Sequence, residues 1–157
     1  MERMRPERVA SVAGACACLL FIFIGTDPTT ASSPRGPQAG SLIEHDSSVA
    51  TRQPGPHQGG GETTAYPFFA HAPDLHLVFR KRALHRGAAI GYHRQQEDEV
   101  YYVLSGTGEL TMNGERSLVG PGTAILTRPG SSHGLRQVGA DHLVILIVYQ
   151  QDVAQGR

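Results

Sequence analysis

The sequence predicts one all-β domain, an antiparallel sandwich or small barrel, behind an export leader and a linker. Three observations lead there. Nineteen glycines and ten prolines, with no tryptophan and few aromatics, favour many short strands joined by tight turns over long helices. Short alternating or fully apolar runs recur from Leu75 to Tyr149, separated by turn residues. Asn113-Gly114 between two such runs is a strong signal for a type I′ hairpin turn. A chain of 157 residues is long enough for one domain with a real core.

Charge narrows the partners. Lysine plus arginine (14) balance aspartate plus glutamate (14), which argues against nucleic acid or an anionic membrane surface and for a small molecule or another protein chain. The two cysteines, Cys16 and Cys18, are too close for a useful bridge, so the domain must hold together without disulfides.

Taken in order, residues 1–31 read as a secretory leader. Arg3, Arg5 and Arg8 precede the apolar run Val9–Gly25, and Thr29, Thr30 and Ala31 supply small residues for cleavage. The expected location is secreted or periplasmic, with membrane attachment only if this segment stays uncleaved as an anchor. Residues 32–65, rich in Pro, Gly, Ser, Gln and Thr, are expected to be a disordered linker, with His45 and His57 as solvated histidines. The domain spans 66–152, and 153–157 form a tail.

Within the domain, Leu75, Leu77 and Phe79 alternate with His76, Val78 and Arg80, which fits a first strand that ends in Arg80-Lys81-Arg82, expected to be a solvated strand end. Further strands are expected at Ala89–Gln95, Val100–Leu104, Glu109–Asn113, Ser117–Val119, Thr123–Thr127, Gly134–Val138 and Leu143–Tyr149. Val100–Leu104 and Leu143–Val148 are apolar at both parities. Both faces should therefore be covered, one inside the barrel and the other by a second sheet or a second subunit, and a homodimer is expected.

The chemistry concentrates between Gly87 and Gly106. His93, Gln95 and Glu99 share one parity and can face one way on an extended chain, and His133 follows in a second glycine-marked segment. Two imidazoles, a carboxamide oxygen and a carboxylate suit a divalent iron, manganese, zinc, nickel or copper ion. The absence of a thiolate argues against a closed structural zinc site. Tyr101, two residues after Glu99, should also face inward, either as packing or as a catalytic group. Arg136 and Gln137, on the strand of His133, are candidate substrate contacts. Glu97 and Asp98 read as solvated loop carboxylates, and His71, His76, His85 and His142 as surface or rim residues.

Gly87, His93, Gln95, Glu99 and Gly106 resemble the first signature motif of the cupin superfamily, with glutamine in place of its second histidine. Gly122, Pro129, Gly130 and His133 resemble the second, with Arg128 for a proline and Gln137 for the final asparagine. The resemblance covers Asp74 to Tyr149 and is closest to small single-domain bacterial cupins. It implies a double-stranded β-helix, or jelly-roll barrel, with a mononuclear metal site of His93, Gln95, Glu99 and His133. Glu99 then binds the metal or acts as general base. The implied function is a metal-dependent dioxygenase- or isomerase-like enzyme on a small oxygen-rich substrate. The alternative is a non-catalytic module that binds a small ligand or sugar.

Overall fold

Alternating runs of this kind can bury one face only by packing sheet on sheet, and the chain does so. The structure, a computed structural model, describes residues 40–151. The leader expected over 1–31 and the tail at 153–157 lie outside the described residues. A short helix, α1 (Asp46–Val49), precedes ten strands: β1 (Thr51–Pro54), β2 (Glu62–Phe68), β3 (Leu77–Leu84), β4 (Ala89–Arg94), β5 (Glu99–Ser105), β6 (Thr107–Met112), β7 (Glu115–Val119), β8 (Ala124–Thr127), β9 (Ser132–Val138) and β10 (Leu143–Gln150).

They form two antiparallel sheets, ordered β1-β2-β3-β10-β5-β8 and β4-β9-β6-β7. From β3 onward every connection except β6–β7 crosses between the sheets, which is the jelly-roll barrel. The β6–β7 exception is the expected hairpin: Met112 pairs with Glu115, and Asn113 and Gly114 both have positive φ (50° and 89°), as a type I′ turn requires. Gly106 also has positive φ, and a Cβ there would lie 2.2 Å from the carbonyl oxygen of His142, so only glycine fits.

The core lies between the sheets. Leu84, Val103, Leu135, Leu143 and Ile145 are each fully or almost fully buried, and Ile90, Leu110, Ile125 and Ile147 complete the cluster. Strand β5 alternates strictly, with Glu99, Tyr101 and Val103 buried and Val100, Tyr102 and Leu104 exposed. Its outward face is thus uncovered in the single chain, as is Leu126 on neighbouring β8.

Two expectations need correction. The linker expected over 32–65 contains α1, β1 and most of β2, so the folded unit begins well before residue 66. Composition undervalued this arm because it carries few large apolar side chains. Its main anchor is the backbone: β1 pairs with β2 from Thr51↔Ala65 to Pro54↔Glu62, and β2 pairs with β3 from Thr63↔Leu84 to Phe68↔Phe79. Small side chains then suffice to fill the seam, with Thr63 and Ala65 buried. The basic run is the second correction. Arg80, Lys81 and Arg82 sit in the middle of β3, not at a solvated end, and Arg82 is only 4% exposed.

The loop between β1 and β2 closes the barrel's open side. Strand β4 is an edge of the smaller sheet, and its free edge is capped by Gly91 N–H donating to Pro56 O (2.9 Å) and Ala89 N–H donating to Gly60 O (3.1 Å). This approach demands glycine on both sides. A Cβ at Gly59 would lie 2.0 Å from Ala89 O, and one at Gly91 would lie 1.9 Å from His57 O.

Candidate metal centre and its cavity

Three of the four expected ligands come from elements that the barrel forces together. His93 on β4 and His133 on β9 are cross-strand partners, and a register shift between Ile90 and His93 re-aims the end of β4. Glu99 opens β5 in the facing sheet. One nitrogen of each histidine and one carboxylate oxygen of Glu99 all lie within 4.8 Å of one another.

Hydrogen bonds set the histidines for coordination. His93 Nδ1 lies 2.8 Å from the carbonyl oxygen of Gly91, which can only accept, so Nδ1 carries the proton and Nε2 keeps its lone pair. His133 Nδ1 lies 2.8 Å from Thr127 Oγ1, which leaves Nε2 facing the site. Thr127 is itself the strand partner of Glu99, so one residue ties both ligands together.

His133 Nε2 and Glu99 Oε2 approach to 3.2 Å. Both atoms are nevertheless buried without a hydrogen bond of acceptable angle, so proximity alone does not satisfy them. Leaving such groups unsatisfied costs about 1–3 kcal/mol each. A cation between them would satisfy both at once, and the two-nitrogen, carboxylate-bearing set fits iron, manganese, zinc, nickel or copper. Gln95 shares the parity of His93 and is buried, at 8% exposure. Its backbone is fixed to the β8–β9 turn through Gln95 N–H to Ser131 O (2.8 Å) and Gly130 N–H to Gln95 O (3.0 Å).

Tyr101 belongs to both core and site. Its ring centroid lies 5.0 Å from that of His133. Burial, and then the Glu99 carboxylate, push its pKa well up, so it stays a neutral phenol at physiological pH.

Arg136 and Gln137 do not reach this site. Alternation along β9 turns His133, Leu135 and Gln137 inward and Arg136 outward. Arg136 instead lines a cavity of about 280 Å³ on the outer face of the smaller sheet, with Tyr92, Glu109 and Arg116. That cavity is larger than the one beside the ligands, but none of His93, Glu99 and His133 lines it. Gln137 is inward but occupied. Its Oε1 accepts from Gly87 N–H (2.7 Å), and its Nε2 donates to Asp141 O (2.6 Å) and is within 3.2 Å of Val138 O and Gly139 O. It ties the turn between β3 and β4 to the turn between β9 and β10.

Of the two loop carboxylates, Asp98 pairs with Arg128 at 2.6 Å, both exposed. Such a pair is worth at most about 1 kcal/mol.

Sequence reasoning missed three residues. His57, expected as a solvated histidine, is indeed exposed, but one face of its ring stacks on His93 with centroids 3.5 Å apart and planes 6° apart. Burial, and then His93, lower its pKa, and its backbone is held at positive φ (51°). Nothing local marked it, because the contact exists only once the arm has docked. Arg80 and Arg82 are the others. They share the parity of fully buried Leu84, a signal that was present but outweighed by their charge. With His57, Glu99, Tyr101 and Tyr149 they line a cavity of about 70 Å³ beside the ligand set.

Comparison with known proteins agrees with this construction. Residues 82–149 match the family model described as Cupin domain. An oxalate-binding protein from Thermotoga maritima is 32% identical over 72 residues, 45% of this chain; the chain spans 60% of that curated relative's length. A solved structure from Thermotoga maritima, described as a predicted oxalate decarboxylase, superposes with a TM-score of 0.65 at 25% identity, over 71% of this chain and 100% of that one. The polyketide cyclase RemF from Streptomyces resistomycificus superposes with a TM-score of 0.60 at 23% identity, over 72% of this chain and 81% of that one, and shares the fold. The family match over residues 82–149 and the jelly-roll topology, with His93, Glu99 and His133 converging inside it, identify the barrel as a cupin domain.

Proposed function

We propose that this chain is a small metal-dependent cupin acting on a small, oxygen-rich organic acid. His93, Glu99 and His133 hold one divalent ion, with Gln95 as a fourth, neutral oxygen donor, and at least one coordination position stays open for the acid. The observation that carries the reading is the facing, buried and unsatisfied pair of Glu99 Oε2 and His133 Nε2. The oxalate-binding description of the Thermotoga maritima relative supports a carboxylate ligand. So does the cavity, whose volume of about 70 Å³ suits a molecule of only a few heavy atoms.

When bound, the ion supplies a Lewis acid that polarises a carboxylate or carbonyl oxygen. The protein's own share is orientation and exclusion of water. Gly91 and Thr127 fix the two imidazoles, Tyr101 presents a neutral O–H as a hydrogen-bond donor, and His57 covers His93 from the arm side. The test is metal content by mass spectrometry on the purified full chain. About one ion per chain is expected, lost in His93→Ala; a wild-type protein without stoichiometric metal sinks the reading.

A second reading, binding without turnover, is favoured by one specific feature: among the described residues, no carboxylate apart from Glu99 lines the cavity to serve as an acid or base. Metal-dependent product release from a small dicarboxylate would exclude it. The basic-then-apolar N-terminus supports export, which N-terminal sequencing of the chain recovered outside the cytoplasm would test. The uncovered outer face of β5 and β8 supports a homodimer.

A further inference from the structure

We infer that Arg80 and Arg82 form a carboxylate-binding subsite in the cavity beside the ligand set, so that the ligand is a small dicarboxylate with one end on the guanidiniums. Its starting point is the placement of two positive charges inside the barrel. On the inner face of the larger sheet, Arg82 lies opposite Ile145 and Arg80 opposite Ile147, and these isoleucines lie in turn opposite Val103 and Tyr101 of β5. The two guanidiniums thus stand one strand away from the strand that carries Glu99.

Their hydrogen bonds are incomplete. Arg82 is 4% exposed; its Nη1 donates to Thr63 Oγ1 (2.7 Å) and its Nη2 lies 3.4 Å from Gln53 Oε1, both neutral acceptors on the arm. Arg80 Nη2 donates to Tyr149 Oη (2.9 Å), also neutral. The Nε–H of each guanidinium is buried and has no partner. Among the described residues neither arginine has a carboxylate within ion-pair distance.

A buried cation without a counterion is a costly arrangement that folding alone does not explain. Burial, and then the neighbouring charge of Arg80, lower the pKa of Arg82 from its usual range, which reports the same tension. Among the described residues Glu99 is the one carboxylate lining the cavity, and in the proposed function its charge serves the metal. Two guanidiniums and a divalent ion against one carboxylate leave the cavity strongly positive, and a dianion offsets most of that excess. The chemistry of the free donors selects a carboxylate, because a guanidinium edge offers parallel N–H groups that match its two oxygens. Arg80 and Arg82 lie on β3, outside both motif segments.

The ligand class rests on the small-acid reading above, whereas the subsite itself does not require the metal. The experiment is isothermal titration calorimetry of the full chain with sodium oxalate and with sodium malonate, on metal-loaded and chelator-stripped protein, for wild type, Arg80→Gln and Arg82→Gln. Loss of a charge-assisted pair should weaken binding by about tenfold or more in each variant. Metal content should remain at the wild-type level. Arg82→Gln also removes bonds to the arm, so Arg80→Gln, whose lost partner is Tyr149 alone, keeps the test independent of arm docking. Metal-stripped wild type should retain weak binding that both variants lose, so absence of metal sinks the metal centre and leaves the subsite to be judged on the stripped protein. Binding of either acid within twofold of wild type by both variants, or failure of wild type to bind both acids in both states, overturns the inference.

Discussion

Gly91→Ala should undock the arm that covers the site. The added Cβ would lie 1.9 Å from the carbonyl oxygen of His57, a backbone atom that cannot turn aside. To relieve that overlap the loop from Gly55 to Gly61 must lift from β4, breaking Gly91 N–H to Pro56 O and Ala89 N–H to Gly60 O and separating His57 from His93. Two backbone hydrogen bonds at about 1 kcal/mol each give a loss of roughly 2 kcal/mol. For a folded unit of this size that corresponds to a fall in Tm of about 8 °C. Urea and thermal unfolding measure the stability, and limited proteolysis reads exposure of the arm. Gly120→Ala is the control, since a Cβ there meets nothing within 4 Å. A Gly91→Ala protein as stable and as protease-resistant as Gly120→Ala would refute the account of how the arm is held.

Further outcomes follow from the same contacts. Chelation of the metal-loaded chain should lower Tm, since an ion present at 100 times its Kd stabilises by about 2.7 kcal/mol, and Glu99→Gln should abolish the dependence on chelator. The Glu62 carboxyl is held below its usual pKa chiefly by its hydrogen bond from Arg52. Its contribution is therefore present above the unfolded value of 4.5 and lost as pH falls through the lower folded value. Below pH 4.5, Glu62→Gln should lose less stability than wild type, with a small difference because the group is exposed; denaturant melts at pH 7 and pH 3.5 read it. Leu104→Lys combined with Leu126→Lys, both exposed on the outer face of the larger sheet, should convert a dimer to a monomer by light scattering without changing metal content. Leu135→Ala, at a position 1% exposed in the core, should cost about 2–5 kcal/mol in urea unfolding.

The sequence by itself determined the barrel and the heart of the site. Alternation in β5 and β9, the Asn113-Gly114 turn and the spacing of His93, Glu99 and His133 are local facts, written in parity and turn chemistry, and they survive folding because a strand's side-chain directions follow from its backbone. Only the tertiary structure decided what surrounds that site. Arg136 and Gln137 stand apart from the ligand set because one faces out and the other is held by a backbone N–H before β4 and by backbone carbonyls after β9. His57 entered because a glycine-lined loop some thirty residues earlier in the chain docks on β4. Arg80 and Arg82 entered because β3 is flanked by β2 and β10, which carries its basic run into the interior. The arm escaped a compositional reading for the same physical reason: backbone hydrogen bonds and glycine contacts hold it, and neither appears in a count of apolar side chains.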